Sequence, residues 1–509
     1  MPTPLTPHLS AAHTRYTTRN PLSHTAHQTA LKHLPGGNTR SSVFTTPFPL
    51  TISSATNGTL TSLDGDTYTD FLGEYSAGIF GHSNARIARA VSDALANGWN
   101  YGGISAHESA FAERVCERFQ EAGVEMVRFT NSGTEANMMA IATGIAFVNR
   151  YYLMAPAGGS SSNTTTITRV EKSKILVFSN AYHGATLTFP LSLVAEGGGG
   201  GGGGLVNGGI SGPAATNLPH DFVIAPYNNV AETKEIIDAL PRTTPSSGSS
   251  LAAILFEPMQ GAGGCRPATR EFAHFLRQVS DEHSAVLIAD EVMTSRLGPA
   301  GLCVDYLGIK PDIMTLGKWV GGGMSFGAFG GRREIMELYL PGKQGGRLGH
   351  AGTFNNNVLT MVAGREGLGV YTREMVRFVN GLGERLRRGV WGVLADRGVI
   401  KRGSDGGGGG GGGEGIVDVD TFDRERRERD AKKLPRMFVT GYGSLVTVRF
   451  AGEEAEGWQA LFYHYMLEKG FYIAARGYMA LTMEAAEGDV DRFIECVDGF
   501  VEQYRELLI

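Results

Sequence analysis

The middle of the chain alternates two hydrophobic rhythms. Ile175–Ser179, Phe222–Ala225, Ala252–Phe256 and Val286–Ala289 are short continuous apolar runs, the pattern of strands buried on both faces. Between them, Glu135–Asn149, Ala231–Leu240 and Thr269–Glu282 carry apolar residues at helical spacing. Strand and helix in alternation predict an α/β domain, a mostly parallel sheet with helices on both faces. The ends of the chain follow other patterns. Leu60–Tyr68 reads as a hairpin turning at Asp64-Gly65. Residues 434–509 mix strands with helices and end in a helix over Asp489–Leu508. Together the ends predict a smaller α+β domain.

The chain has 509 residues, too many for one core, since single cores stop growing near about 250–300 residues. The expected division is a disordered tail over 1–20, where Pro2, Pro4 and Pro7 oppose a helix, and an N-terminal segment of the small domain over 21–85. A large domain over 86–345 and the rest of the small domain over 346–509 follow. Glycine reaches 72 residues through local excess, with homopolymer runs at Gly197–Gly204 and Gly406–Gly413. Such tracts bury nothing, so 155–168, 196–215, 241–250 and about 403–433 are expected to be surface loops. The charged stretch Asp418–Lys433 extends the last of them.

Charge and cysteine usage narrow the class. The net charge is −5 with no basic stripe, which argues against a nucleic-acid or membrane-surface partner. No apolar run approaches the roughly 18 residues of a membrane span, and the N-terminus has no apolar signal core. A cytoplasmic location is expected. A mitochondrial presequence is the alternative, because no acidic residue occurs before Asp64. Cys116, Cys265, Cys303 and Cys496 lie far apart without metal-ligand spacing, so they read as free thiols and no metal site is expected.

Candidate chemistry centres on two residues. Asp290 closes the apolar run Ala285–Ala289, and Lys318 stands in Thr315-Leu316-Gly317-Lys318-Trp319-Val320-Gly321-Gly322-Gly323. A lysine amine and a buried carboxylate are what pyridoxal phosphate chemistry requires, one to form a Schiff base and one to keep a pyridine nitrogen protonated. Any long α/β protein also contains such a pair. Val127–Thr130 reads as a strand running into Asn131-Ser132-Gly133-Thr134-Glu135, where a helix begins. Its free N–H groups, with the hydroxyls of Ser132 and Thr134, suit a phosphate. Ser132 and Glu135 also fit an ordinary capping box. Tyr182 follows a strand's C-terminal end, where open α/β sheets bind ligands, and equally fits a surface turn.

Ser132-Gly133-Thr134, Tyr182-His183-Gly184, Glu257-Pro258-Met259-Gln260-Gly261, Asp290-Glu291-Val292, Lys318 and Gly352-Thr353-Phe354 occur in the order found in class III aminotransferases. The resemblance spans roughly residues 30–505 between the low-complexity tracts. Leu34–Arg40, Asp290–Leu297, Gly321–Gly331 and Gly352–Asn357 resemble, more narrowly, the β-phenylalanine aminotransferases. Glutamate-1-semialdehyde aminomutases share the general pattern.

This resemblance implies a fold-type-I transferase: a large domain on a mostly parallel seven-stranded sheet, plus a smaller α+β domain. It implies pyridoxal 5′-phosphate as cofactor, an amino acid and a 2-oxo acid as substrates, and a homodimer with shared active sites. Lys318 resembles the Schiff-base lysine and Asp290 the partner of the pyridine nitrogen. Tyr182 and Val292 resemble the residues on the two ring faces. Ser132, Gly133 and Thr134 resemble the phosphate cradle, and Glu257 belongs to the cofactor-binding set. Thr353 resembles a phosphate ligand given to the neighbouring subunit.

Arg40 resembles a β-amino acid carboxylate anchor, and Arg476 a second arginine serving the oxo acid. Taken alone, Arg40 equally fits a surface arginine after a Gly-Gly turn. Phe44, Phe48 and Tyr75 could wall a substrate side chain or pack in a core. Two departures stand out: Asn228-Asn229 replaces the usual Asn-Asp, and Ala474-Ala475 precedes Arg476 in place of Ser-Pro. The expected activity is transfer of an amino group from a β-amino acid, aromatic in kind, to a 2-oxo acid by a ping-pong route. An aminomutase and a non-catalytic binding relative are the alternatives.

Overall fold

The structure, a computed structural model, describes residues 4–149, 172–185, 187–189, 220–241, 249–341, 348–400 and 435–508. The sequence-based loops over 155–168, 196–215 and 403–433, and residues 242–248 of the loop over 241–250, lie outside the described residues.

A seven-stranded sheet forms the centre. Its spatial order is Met126–Thr130, Gly327–Gly331, Ile313–Gly317, Val286–Asp290, Leu251–Phe256, Lys174–Phe178 and Asp221–Ala225. Only Gly327–Gly331 runs antiparallel to its neighbours. The interior strands Leu251–Phe256, Val286–Asp290 and Ile313–Gly317 are buried at every position, which is why their sequences read as unbroken apolar runs. The helix Gly133–Val148 lies across the sheet and packs on five of its strands. Arg270–Glu282, capped by the Thr269 hydroxyl, covers Leu251–Phe256 and Val286–Asp290. Six functional candidates stand at or just beyond C-terminal strand ends: Ser132, Gly133, Tyr182, Glu257, Asp290 and Lys318.

The two ends of the chain share one sheet. Thr59–Ser62 and Thr67–Asp70 form the hairpin expected around Asp64-Gly65, pairing Leu60 with Tyr68, and Gly65 supplies the positive φ of 91° that the turn requires. Phe471–Tyr472, from the C-terminal region, then adds in parallel to Thr67–Asp70.

The expected disordered tail is corrected. Residues Thr6–Arg19 form a helix, and Pro21–Ala30 form a second. Leu5, Ala12 and Tyr16 are buried where the first helix packs on the helix Ala455–Glu468. The Tyr16 hydroxyl donates to the Phe48 carbonyl at 3.0 Å. Pro7 and Pro21 fall in first helical turns, where the missing N–H has no intrahelical partner to lose. They start helices here and do not oppose them.

At the far end of the helix Gly133–Val148, the Asn149 amide spans a gap in the described chain. It donates to the Lys172 carbonyl at 3.0 Å and accepts from the Lys172 N–H at 3.1 Å. The Lys172 ammonium donates to the carbonyls of His283 and Ser284 at 2.6 and 3.1 Å. Among the described residues, no helix is long and apolar enough to cross a membrane, no group of three His, Cys, Asp or Glu side chains is placed to hold a metal, and all four cysteines are free.

Candidate active site

A cavity of about 670 Å³ opens over the C-terminal strand ends. Its wall gathers Lys318, Asp290, Val292, Ser132, Gly133, Thr134, Tyr182, Glu257, Arg40, Tyr75 and Arg476. Phe44 and Thr353 are not in that wall; both are exposed in the single chain. Phe48 is a core residue, 2% exposed and stacked on His24.

Lys318 follows directly from the buried strand Ile313–Gly317 with φ at 52°. That conformation is rare outside glycine and persists only where the surroundings fix it. They do so here: Trp319 is fully buried and its indole N–H donates to the Ser295 hydroxyl at 2.9 Å. Lys318 has no hydrogen bond or ion pair among the described residues. Burial pushes its amine down to about 8; Asp290 works in the opposite direction, and the Arg476 charge adds to the depression.

Asp290 is held from several sides. Its Oδ2 accepts from the Asn137 amide at 2.8 Å and lies 2.8 Å from His183 Nδ1, while Oδ1 accepts from the Val292 N–H at 3.0 Å. The Thr315 hydroxyl prefers Asn137 Oδ1, at 2.7 Å, to Asp290 Oδ1, at 3.4 Å. With Oδ2 engaged by two partners, Oδ1 is the oxygen with a lone pair left for a ring N–H in the cavity. Asn137, His183 and Thr315 therefore act through Asp290 as positioning residues. Asn137 had a legible signal: it is a polar residue on an otherwise small and apolar helix face, between Ala136 and Ala140.

Glu257 accepts the backbone N–H groups of Tyr182 and Gly261, each at 3.1 Å. It thereby ties the Tyr182 loop to the strand end, and burial pushes its carboxyl up to about 7. At the opposite wall the Ser132 hydroxyl caps the helix, accepting from the Glu135 N–H at 3.2 Å. A Cβ on Gly133 would stand 2.8 Å from a Val292 methyl, so only glycine admits this approach of helix terminus to strand end.

The two arginines flank one ring. Arg40 lies 5.4 Å and Arg476 5.3 Å from the Tyr75 ring centroid, and Tyr75 stacks on Tyr478 at 5.8 Å. Arg40 is ion-paired with Glu74. Arg476 has no ion pair or hydrogen bond among the described residues.

These residues fit pyridoxal phosphate. A partner-free amine of lowered proton affinity, a fixed carboxylate in the cavity wall, and a helix N-terminus too tight for a side chain match its aldehyde, ring nitrogen and phosphate respectively. The pH response of the amine follows. The free amine gains as pH rises through about 8. The rate at which cofactor-free protein captures pyridoxal 5′-phosphate, followed by visible absorbance, is expected to climb about tenfold per unit below that value and to level off above it. Arg476→Met should move the midpoint up, and Asp290→Asn should move it down.

The family model described as aminotransferase class-III matches residues 41–401. The β-phenylalanine transaminase of Variovorax paradoxus is 35% identical over 98% of this chain and 97% of its own. The crystal structure of a β-phenylalanine aminotransferase from that organism superposes with a TM-score of 0.79 at 34% identity, covering 99% of both chains. The glutamate-1-semialdehyde 2,1-aminomutase of Methanothermobacter thermautotrophicus is 34% identical over 71% of this chain and 76% of its own. With a seven-stranded sheet, a buried acid and a strained lysine at its strand ends, and this likeness along nearly its whole length, the chain belongs to the class III aminotransferases, transaminases that depend on pyridoxal 5′-phosphate.

Proposed function

We propose that the protein moves an amino group from a β-amino acid, aromatic in kind, to a 2-oxo acid such as pyruvate or 2-oxoglutarate by a ping-pong route. The observation that carries this reading is the pair of guanidiniums flanking Tyr75 in the cavity that holds Lys318. A guanidinium fork binds a carboxylate through two parallel hydrogen bonds. Two forks in one cavity suit a reaction that admits two different acids in turn.

The bound cofactor supplies an electron sink for the carbon that loses its proton. Lys318 is the base, taking the proton from the amine-bearing carbon and returning it elsewhere; an amine titrating near 8 is well matched to that work at neutral pH. Asp290 supplies the negative charge under the ring nitrogen. Ser132, Gly133 and Thr134 hold the phosphate, and Tyr182 and Val292 confine the ring. Arg40 takes the carboxylate of the β-amino acid and Arg476 that of the oxo acid. Tyr75, with Met259, Met293 and Met324 from the same wall, meets the donor's side chain, methionine suiting rings of varied shape.

We also read the protein as a homodimer. Thr353 and Phe354 stand exposed beyond the cavity, as do Trp99, Tyr101 and the 91% exposed Ile104. Apolar surface of this kind suits a second copy, with Thr353 serving its phosphate.

Initial rates with α- and β-amino acid donors, each against pyruvate and 2-oxoglutarate, test the reading. Parallel double-reciprocal lines and a preference for an aromatic β-amino acid are expected. Arg40→Met should raise the donor KM by about threefold with a smaller change in kcat, the scale of exchanging one exposed carboxylate partner of the arginine, Glu74, for another. Sustained turnover of one substrate without any acceptor would instead identify an aminomutase.

A further inference from the structure

One carboxylate at the cavity mouth has no part in the scheme above. Glu74 is ion-paired with Arg40 and stands outside the cavity wall, reaching the cavity only through that arginine. Its backbone is unusual. Gly73, Glu74, Tyr75 and Ser76 take φ values of 52°, 49°, 52° and 77° in succession. Three consecutive non-glycine residues in the left-handed region are costly, and such strain persists where the surroundings impose it.

The surroundings are visible. Asp70 Oδ1 accepts the N–H groups of Leu72 and Gly73 at 2.8 and 3.0 Å, while Asp70 Oδ2 is held by His82 at 2.8 Å. Gly78 N–H closes on the Gly73 carbonyl at 3.0 Å. This turn carries Tyr75 into the cavity and presents Glu74 to Arg40.

The result is an asymmetry between two otherwise similar cations. Arg40 has a resident carboxylate. Arg476 has none among the described residues and rests on the rings of Tyr75 and Tyr478. We propose that Glu74 is a specificity-determining residue: it occupies Arg40 as an internal carboxylate, so that the cavity openly binds one ligand carboxylate, at Arg476, and admits a second only by evicting Glu74.

The eviction is feasible. Both side chains of the pair are about half exposed, 48% and 54%, and ion pairs so exposed are held weakly. Geometry allows a single ligand to reach both arginines. Their guanidiniums can be no farther apart than the sum of their distances to the shared Tyr75 ring. A five-carbon dicarboxylate, with C–C bonds of about 1.5 Å and contacts of about 2.8 Å at either end, spans that separation. Glu74 thus sets the balance between 2-oxo monocarboxylates and 2-oxo dicarboxylates as acceptors. It also competes with any donor carboxylate directed to Arg40.

This inference rests on the reading of the cavity as an amino- and oxo-acid site. Its test uses ligands that cannot react, so it stands or falls apart from whether the β-amino acid reaction occurs. Calorimetric titration of the cofactor-loaded protein with pentanoate and with glutarate gives the ratio of their affinities. In the wild type the two should agree within about threefold. Glu74→Gln keeps the shape and removes the charge; it should tighten glutarate roughly five- to tenfold, the scale of a weak ion pair plus relief of like-charge repulsion, and leave pentanoate within about threefold. Arg40→Met in the wild-type background should leave glutarate within about threefold, since Arg40 is already engaged. Wild-type binding of glutarate more than about tenfold tighter than pentanoate, an unchanged ratio in Glu74→Gln, or a tenfold loss of glutarate affinity in Arg40→Met would each overturn the proposal.

Discussion

Alanine at position 318 is expected to abolish the visible absorbance of the cofactor-loaded protein and to lower transamination by about 10⁴-fold or more. Lys318 would supply both the covalent attachment and the proton shuttle, and proton transfer by a positioned base alone contributes about 10²- to 10⁴-fold. The fold should survive. Lys318 has no hydrogen-bond or ion-pair partner among the described residues, and its depressed proton affinity means that the folded state disfavours the ammonium. Its removal therefore leaves no buried group unsatisfied. Circular dichroism and melting measured beside the absorbance spectrum separate the two effects. A Lys318→Ala protein that keeps the visible band, or turns over within about tenfold of the wild type, would rule out the assignment.

The second large effect is expected at Asp290. Asn has the same shape, but its amide nitrogen cannot accept a hydrogen bond. Placed toward Oδ2 it would face the Asn137 amide and His183; placed toward Oδ1 it would face the Val292 N–H. Either orientation leaves a buried donor unpaired, a cost of about 1–3 kcal/mol. Asp290→Asn should thus lose about 2 kcal/mol in urea unfolding, and at least about 10²-fold in transamination, the scale of removing one preorganised charge. Asn137→Leu separates the two contributions. It spares the carboxylate and frees one of its lone pairs, so it should cost stability on the same scale and less than about tenfold in rate. Equal activity of Asp290→Asn and wild type would exclude Asp290 as the partner of the ring nitrogen.

What the sequence revealed and what it hid divide along physical lines. The buried strands were legible because both faces of each strand are apolar, and the placement of Lys318, Asp290 and Ser132–Thr134 around one cavity was legible because strand ends and helix starts carry local signatures. The partner of Asn137 and Thr315 was not. Their contacts with Asp290 cross 153 and 25 residues of chain, and a polar residue on a small apolar helix face, as Asn137 is, does not name a partner that distant. Glu74 was hidden for another reason: its backbone adopts a left-handed turn that no residue type in Glu74-Tyr75-Ser76 favours. The N-terminal helix is masked in the sequence by its prolines, although Leu5, Leu9, Ala12 and Tyr16 fall on one helical face.

The Asn149 amide, paired with both backbone groups of Lys172, makes two ends of the chain meet at a single fixed point. That point closes the helix whose other end, at Gly133, lines the cavity, 16 residues away, or about 24 Å along the axis. Residues 149 and 172 are therefore neighbours in space although 23 residues apart in sequence. A change confined to this junction leaves the hydrogen bonds that hold Asp290 untouched, since none of those bonds involves Asn149 or Lys172.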